Sequence, residues 1–118
     1  MEPLNKKVEL EIKANSMYTS MIPKPGVLFI GERGLEFRGE GQGYIQIPYK
    51  EIVGVRAQLF FGRRYVRGFF VDTKSGTFNF VVSKGRRALQ TMGQHLPHNI
   101  FTRNISSFEG MFKRITKR

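Results

Sequence analysis

Two histidines, His95 and His98, and no cysteine are the first residues to weigh for chemistry in this 118-residue chain. Their spacing could present two imidazoles to one metal ion. Pro97 lies between them and breaks a helical register, and no carboxylate follows closely to complete a ligand set. A solvated helix end is the plainer expectation. Glu32, Glu36 and Glu40 could pass for paired acids, but no base or nucleophile stands near them, and solvated faces are expected for all three. Gly39-x-Gly41-x-Gly43 resembles a phosphate cradle only in outline: such a loop follows a strand and opens a helix, whereas this one precedes another strand. No Ser-His-Asp arrangement can be drawn with neither histidine in a motif. The residues point to a protein that is not an enzyme, with no cofactor and no metal.

Charge is more informative. Residues 1–40 carry six basic and six acidic side chains, whereas residues 41–118 carry fourteen basic and only Glu51, Asp72 and Glu109 as acids. A surplus of +11 confined to one part of the chain speaks to partners rather than to fold. It calls for an anionic surface: a membrane face, nucleic acid or an acidic protein. The absence of cysteine suits a reducing compartment. The longest apolar runs, such as Val27 to Ile30, fall far short of the ~20 residues of a spanning helix. Nothing behind Met1 to Lys7 reads as a signal peptide. The expected location is cytoplasmic, with peripheral association at the inner face of the plasma membrane as an extension.

The elements that must position these charges read mainly as strands. Val8, Leu10 and Ile12 alternate with Glu9, Glu11 and Lys13 in period two. Gly26 to Gly31 and Leu35 to Phe37 form two arms around Glu32-Arg33-Gly34, a turn in which Gly34 could take positive φ. Residues 39–43 make a loop, and Tyr44 to Ile47 a short strand stopped by Pro48, which belongs at an edge. Ile52 to Phe61, Tyr65 to Thr73 and Thr77 to Val82 follow, separated by Gly62-Arg63-Arg64 and Lys74-Ser75-Gly76. Leu89, Met92 and Leu96 then switch to helical spacing, with Ser83 as N-cap and Pro97 as the stop. Ile100 to Arg103 is a last extended piece. Ser106 to Glu109 reads as a capping box for a C-terminal helix whose Phe108, Met111, Phe112 and Ile115 share a face. Six or seven antiparallel strands in meander order plus helix describe one domain over 1–118. The expected class is mostly β: a pleckstrin-homology-like curved antiparallel sheet or partly open barrel with a C-terminal helix, against a plain antiparallel sandwich.

Three phrases, VLFIGERGLEF over 27–37, YIQIPYKEI over 44–52 and TKSGTFNF over 73–80, together with Asn5-Lys6-Lys7-Val8, resemble the small mannose-operon proteins of the ManO type, the family of domain of unknown function 956. The resemblance runs through nearly the whole chain in order. It implies a pleckstrin-homology-like fold and an accessory or regulatory role toward a mannose-family phosphotransferase sugar transporter. It implies no catalytic residue. Since phosphotransferase proteins relay phosphate through histidine, it also lends His95 and His98 a phospho-acceptor reading, which the solvated helix end outweighs. The loop at Gly62-Arg63-Arg64-Tyr65 departs from the family in being more basic.

The partner-binding residues nominated are Arg63, Arg64, Tyr65, Arg67, Lys84, Arg86 and Arg87. Arginine interleaved with aromatics is interface composition. Arg56 and Lys74 mark the same hairpin arms, and in a regular strand one of Phe60 and Phe61 must face outward. Lys84, Arg86 and Arg87 stand where the helix dipole disfavours cations and where bare amides attract anions. The expected partner is the membrane-embedded part of the transporter, with anionic phospholipid as the alternative. Nucleic acid ranks last, for want of a recognition helix or an aromatic RNA-binding sheet.

Overall fold

Among the described residues, the alternation of the sequence is carried into eight strands, one helix and two short 3-10 turns. The structure is a computed structural model that describes residues 3–19, 22–41, 43–60 and 65–105, with backbone alone at 18, 19, 60, 104 and 105. Strands β1 (Val8–Thr19), β2 (Ile22–Gly31), β3 (Gly34–Gly39) and β4 (Tyr44–Pro48) form one antiparallel meander. Strands β5 (Ile52–Phe60), β6 (Tyr65–Thr73) and β7 (Gly76–Val82) form a second. Helix α1 (Gly85–Met92) follows, and then β8 (Phe101–Ile105).

The strand order β4-β3-β2-β1-β7-β6-β5-β8 makes a single open sheet. The two meanders pair edge to edge at Ala14↔Val82, Asn15↔Val81 and Ser16↔Phe80. The expectation of a purely antiparallel meander is corrected at β8, which pairs parallel to β5 from Val55↔Phe101 to Leu59↔Ile105. A parallel neighbour requires a crossover, and β6, β7 and α1 supply it. Pro48 does close an edge strand, where its missing N–H costs no ladder bond.

One face of each strand builds the core. Leu10, Ile12, Leu28, Ile30, Leu35 and Phe37 of the first meander pack with Val55, Phe69, Val71 and Phe80 of the second. Ala88 and Met92 of α1 and Leu96 beyond it close the open side. The predicted apolar stripe is therefore right, although the helix is shorter than the stripe. It ends at Met92, with the Gly93 N–H bonded to the Leu89 carbonyl, and Pro97 instead introduces a 3-10 turn at His98–Ile100. Ser83 is not the N-cap. Its N–H donates to the Lys13 carbonyl, still in the β-type exchange with β1, so the cap position falls to Lys84, which makes no side-chain capping bond.

The glycine expected to turn on positive φ is also reassigned. Gly76 holds φ +148, whereas Gly34 is glycine because a Cβ there would lie 2.3 Å from the Ile47 carbonyl oxygen. The C-terminal helix expected over 106–118 lies outside the described residues, as do Phe61, Gly62, Arg63 and Arg64.

Candidate docking surface

The start of α1 rests on the start of β6. A Cβ on Gly85 would come within 2.4 Å of the Val66 carbonyl oxygen and 2.6 Å of its Cγ1, so only glycine lets the helix approach this closely. Leu89, one turn on, packs against Ala57, Leu59 and Val66. This contact brings the backbone of the segment 84–87 onto the strand end that carries Tyr65 and Arg67, with Val66 facing the helix and exposed Tyr65 on the other side of the strand. The five described members of the nominated set thus come from two segments joined at one point.

Lys84, Arg86 and Arg87 are exposed, and the first turn of α1 contains no acidic residue. Three cations therefore share the end of a helix whose dipole repels them. Tyr65 is 46% exposed, an unusual degree for a strand aromatic, and Arg67 is half-buried. Arg67 falls between Val66, paired with Leu59, and Gly68, paired with Gln58, so it sits at a bulge. Bulges re-aim side chains at sheet rims.

Two cations grouped with this set in the sequence are elsewhere. Arg56 makes a two-pronged bond to Asp72, Nε to Oδ2 and Nη2 to Oδ1, each 2.9 Å, and its guanidinium lies 4.6 Å from the Phe70 ring centre. Asp72 also accepts from the Thr77 hydroxyl at 2.8 Å. The Arg56 bond draws the Asp72 carboxyl below its ordinary value, and the same bond raises the guanidinium. Arg56 is thus a structural partner within the sheet. Lys74 stands past the far end of β6, roughly 31 Å along the chain from Tyr65 at ~3.4 Å per residue. The aromatic side chains at 60 and 61 lie outside the described residues.

The structure also corrects two readings of charged or titratable residues. His95 is no solvated helix end: it stacks on Tyr49 at 4.9 Å and 14°, and its Nε2 lies 2.6 Å from Glu9 Oε1. The Tyr49 hydroxyl donates to the Gly31 carbonyl at 2.6 Å, and burial together with the Glu9 charge raises its pKa. His98 is exposed, and among the described residues no three His, Cys, Asp or Glu gather as metal ligands.

Glu36 is only 3% exposed, not solvated. Its carboxylate accepts from the backbone N–H groups of Leu4 and Asn5 at 3.1 and 3.0 Å, from Asn5 Nδ2 at 3.0 Å and from the Tyr44 hydroxyl. Burial works against ionisation, yet the bonds from Tyr44, Asn5 and Leu4 outweigh it and hold the carboxyl below its usual range. Asn5 also accepts from the N–H groups of Arg33 and Gly34 at 2.8 and 3.0 Å. Glu32 stays partly open and accepts from the Lys6 and Lys7 N–H groups at 2.6 and 3.0 Å. The sequence offered no sign of the Asn5–Glu36 partnership, whose members stand 31 residues apart.

With the fold and surface described, comparison with known proteins places the chain in a class of small, mostly β domains. It belongs to the family described as a domain of unknown function, DUF956, whose family model matches residues 1–115. No curated protein matches. Among solved structures, the C-terminal domain of an unknown protein from Leishmania infantum is similar, with a TM-score of 0.63 and 16% identity over 75% of this chain and 83% of that one. At that identity the likeness is one of fold alone. No helix among the described residues is long and apolar enough to cross a membrane.

Proposed function

We propose that this protein is a non-catalytic accessory subunit that docks on the cytoplasmic side of a mannose-family phosphotransferase transporter, through the basic rim at the start of α1. The observation that supports the reading is the Gly85–Val66 contact, which seats the segment of Lys84, Arg86 and Arg87 on the start of the strand that carries Tyr65 and Arg67, in a helix whose first turn holds no acid. Cations held against a helix dipole lower their energy when an anionic partner arrives. The transporter is named on the strength of the VLFIGERGLEF and YIQIPYKEI phrases. A pleckstrin-homology-like assignment belongs to the same reading. It is supported by a four-strand and a three-strand meander joined edge to edge, with a helix after the seventh strand closing the core.

The test is a gentle-detergent pull-down of tagged protein from its own membranes. Stoichiometric recovery of the transporter's membrane components is expected from the wild type, and loss of it from the triple variant Lys84→Glu, Arg86→Glu, Arg87→Glu. Replacing Arg63 and Arg64 with Glu should act in the same direction. Undiminished recovery with the triple variant would remove this surface from the reading, and absence of the transporter would remove the partner.

A further inference from the structure

The first meander carries a second cationic feature, on the other part of the sheet, that the charge-neutral sequence of residues 1–40 conceals. Ile12, Ala14, Leu28 and Phe37 all point into the core. Their strand neighbours Lys13, Val27 and Arg38 therefore point to the outer face. Lys13 pairs with Val27, Val27 with Arg38 and Arg38 with Tyr44, so the four form one row across four strands. The Cα atoms of Lys13 and Arg38 are two strand spacings apart, about 10 Å, a gap their long side chains can close over Val27.

Arg38 is held but not neutralised. Its guanidinium lies 5.5 Å from the Phe29 ring centre and 5.4 Å from that of Tyr44. Tyr44 is itself fixed, because its hydroxyl donates to Glu36 and accepts from Gln46 Nε2 at 3.1 Å. Among the described residues no carboxylate forms an ion pair with Arg38. Stacking on aromatic faces orients a guanidinium and leaves its N–H fork available in the plane. That fork matches the oxygens of a phosphate.

Both cations border a concavity of about 590 Å³ that Val27, Val81, Val82 and Pro25 also line. This is the size range of small-molecule sites, which combine apolar walls with a few convergent polar groups. Glu40 stands on its rim, and Glu11 lies one row away on the same face. Glu36 is turned to its own donors.

We infer that this concave face is a binding site for a small organic phosphate, its phosphoryl group bridged by Arg38 and Lys13 and its apolar body resting on Val27 and Val81. The site is separate from the rim at the start of α1 and stands or falls independently of it.

Titration calorimetry of the full chain with phenyl phosphate at low salt tests it. Saturable binding is expected, weakened at least about tenfold by Arg38→Gln and likewise by Lys13→Gln, but unchanged by Lys50→Gln, which follows the end of β4 opposite to Tyr44. Inorganic phosphate, which lacks the apolar body, should bind more weakly. A parallel arm uses vesicles containing phosphatidic acid. Binding to vesicles that Arg38→Gln abolishes, with none to phenyl phosphate, would support the same phosphoryl recognition with a lipid as its source. Binding to neither probe, or binding to either that survives both substitutions in variants with a wild-type melting curve, would overturn the proposal.

Discussion

The Glu36 pocket and the start of α1 treat charge in opposite ways. In the first, Glu36 is drawn under the N-terminal segment and surrounded by four donors from Leu4, Asn5 and Tyr44. In the second, Lys84, Arg86 and Arg87 stay exposed in a first turn that contains no acidic residue. A buried charge is tolerated only when its hydrogen-bonding capacity is met within the fold, so the first region is committed to structure. An exposed cluster of like charges costs the fold little and retains its affinity for something outside. The contrast separates residues that hold this protein together from residues that it can use.

The sharpest way to break the comparison is at Glu36. Glu36→Ala should cost about 3 kcal/mol in denaturant unfolding, because it strands the N–H groups of Leu4 and Asn5, the Asn5 amide and the Tyr44 hydroxyl. A loss near zero would mean that these donors find water instead. Next in size is Gly85→Ala, expected to cost about 2 kcal/mol even though alanine is the better helix former. The added Cβ would meet the Val66 backbone, which cannot step aside. The same change should weaken pull-down of the proposed partner, since it shifts the helix start off β6.

The pH dependence sharpens the picture further. Glu36 has a carboxyl pKa below its unfolded value, so its contribution is fully present above the ordinary carboxylate range and is lost as pH falls through the depressed folded value. Unfolding free energy should therefore drop on acidification below the normal glutamate range, and Glu36→Gln should flatten that part of the curve. A slope unchanged by the substitution would locate the acid sensitivity elsewhere. A smaller effect is expected at the partly exposed Arg56–Asp72 pair, whose side chains are 38% and 27% accessible. Asp72→Asn should cost no more than about 1 kcal/mol, less in high salt. The triple charge reversal at Lys84, Arg86 and Arg87 should leave stability unchanged or slightly raised, since acids suit a helix N-terminus.

Much of the strand layout was legible in advance because period-two alternation reports which face is buried, and the first half of β1 alternates cleanly. The hairpin at Glu32–Arg33 and the edge position of Pro48 follow from local backbone chemistry. The errors arose where a remote partner decided the outcome. Ser83 looks like a cap until Lys13 takes its N–H. Gly34 looks like a turn glycine until the Ile47 carbonyl closes on it. Glu36 looks solvated because its neighbours in sequence say nothing of Asn5. The nominated docking residues came from composition alone, and Arg56, which marks the same hairpin arms, proves to be bonded to Asp72 across the strand pair.

The sequence by itself determined the mostly β class of the fold and the placement of net charge in residues 41–118, since both depend on residue type and short-range spacing. Only the tertiary structure decided that β8 runs parallel to β5, that the helix start seats on Val66, and that Arg38 stands between two rings on a concave face. Those depend on segments tens of residues apart meeting in one register, and such meetings are fixed by packing and hydrogen-bond geometry that no local pattern encodes.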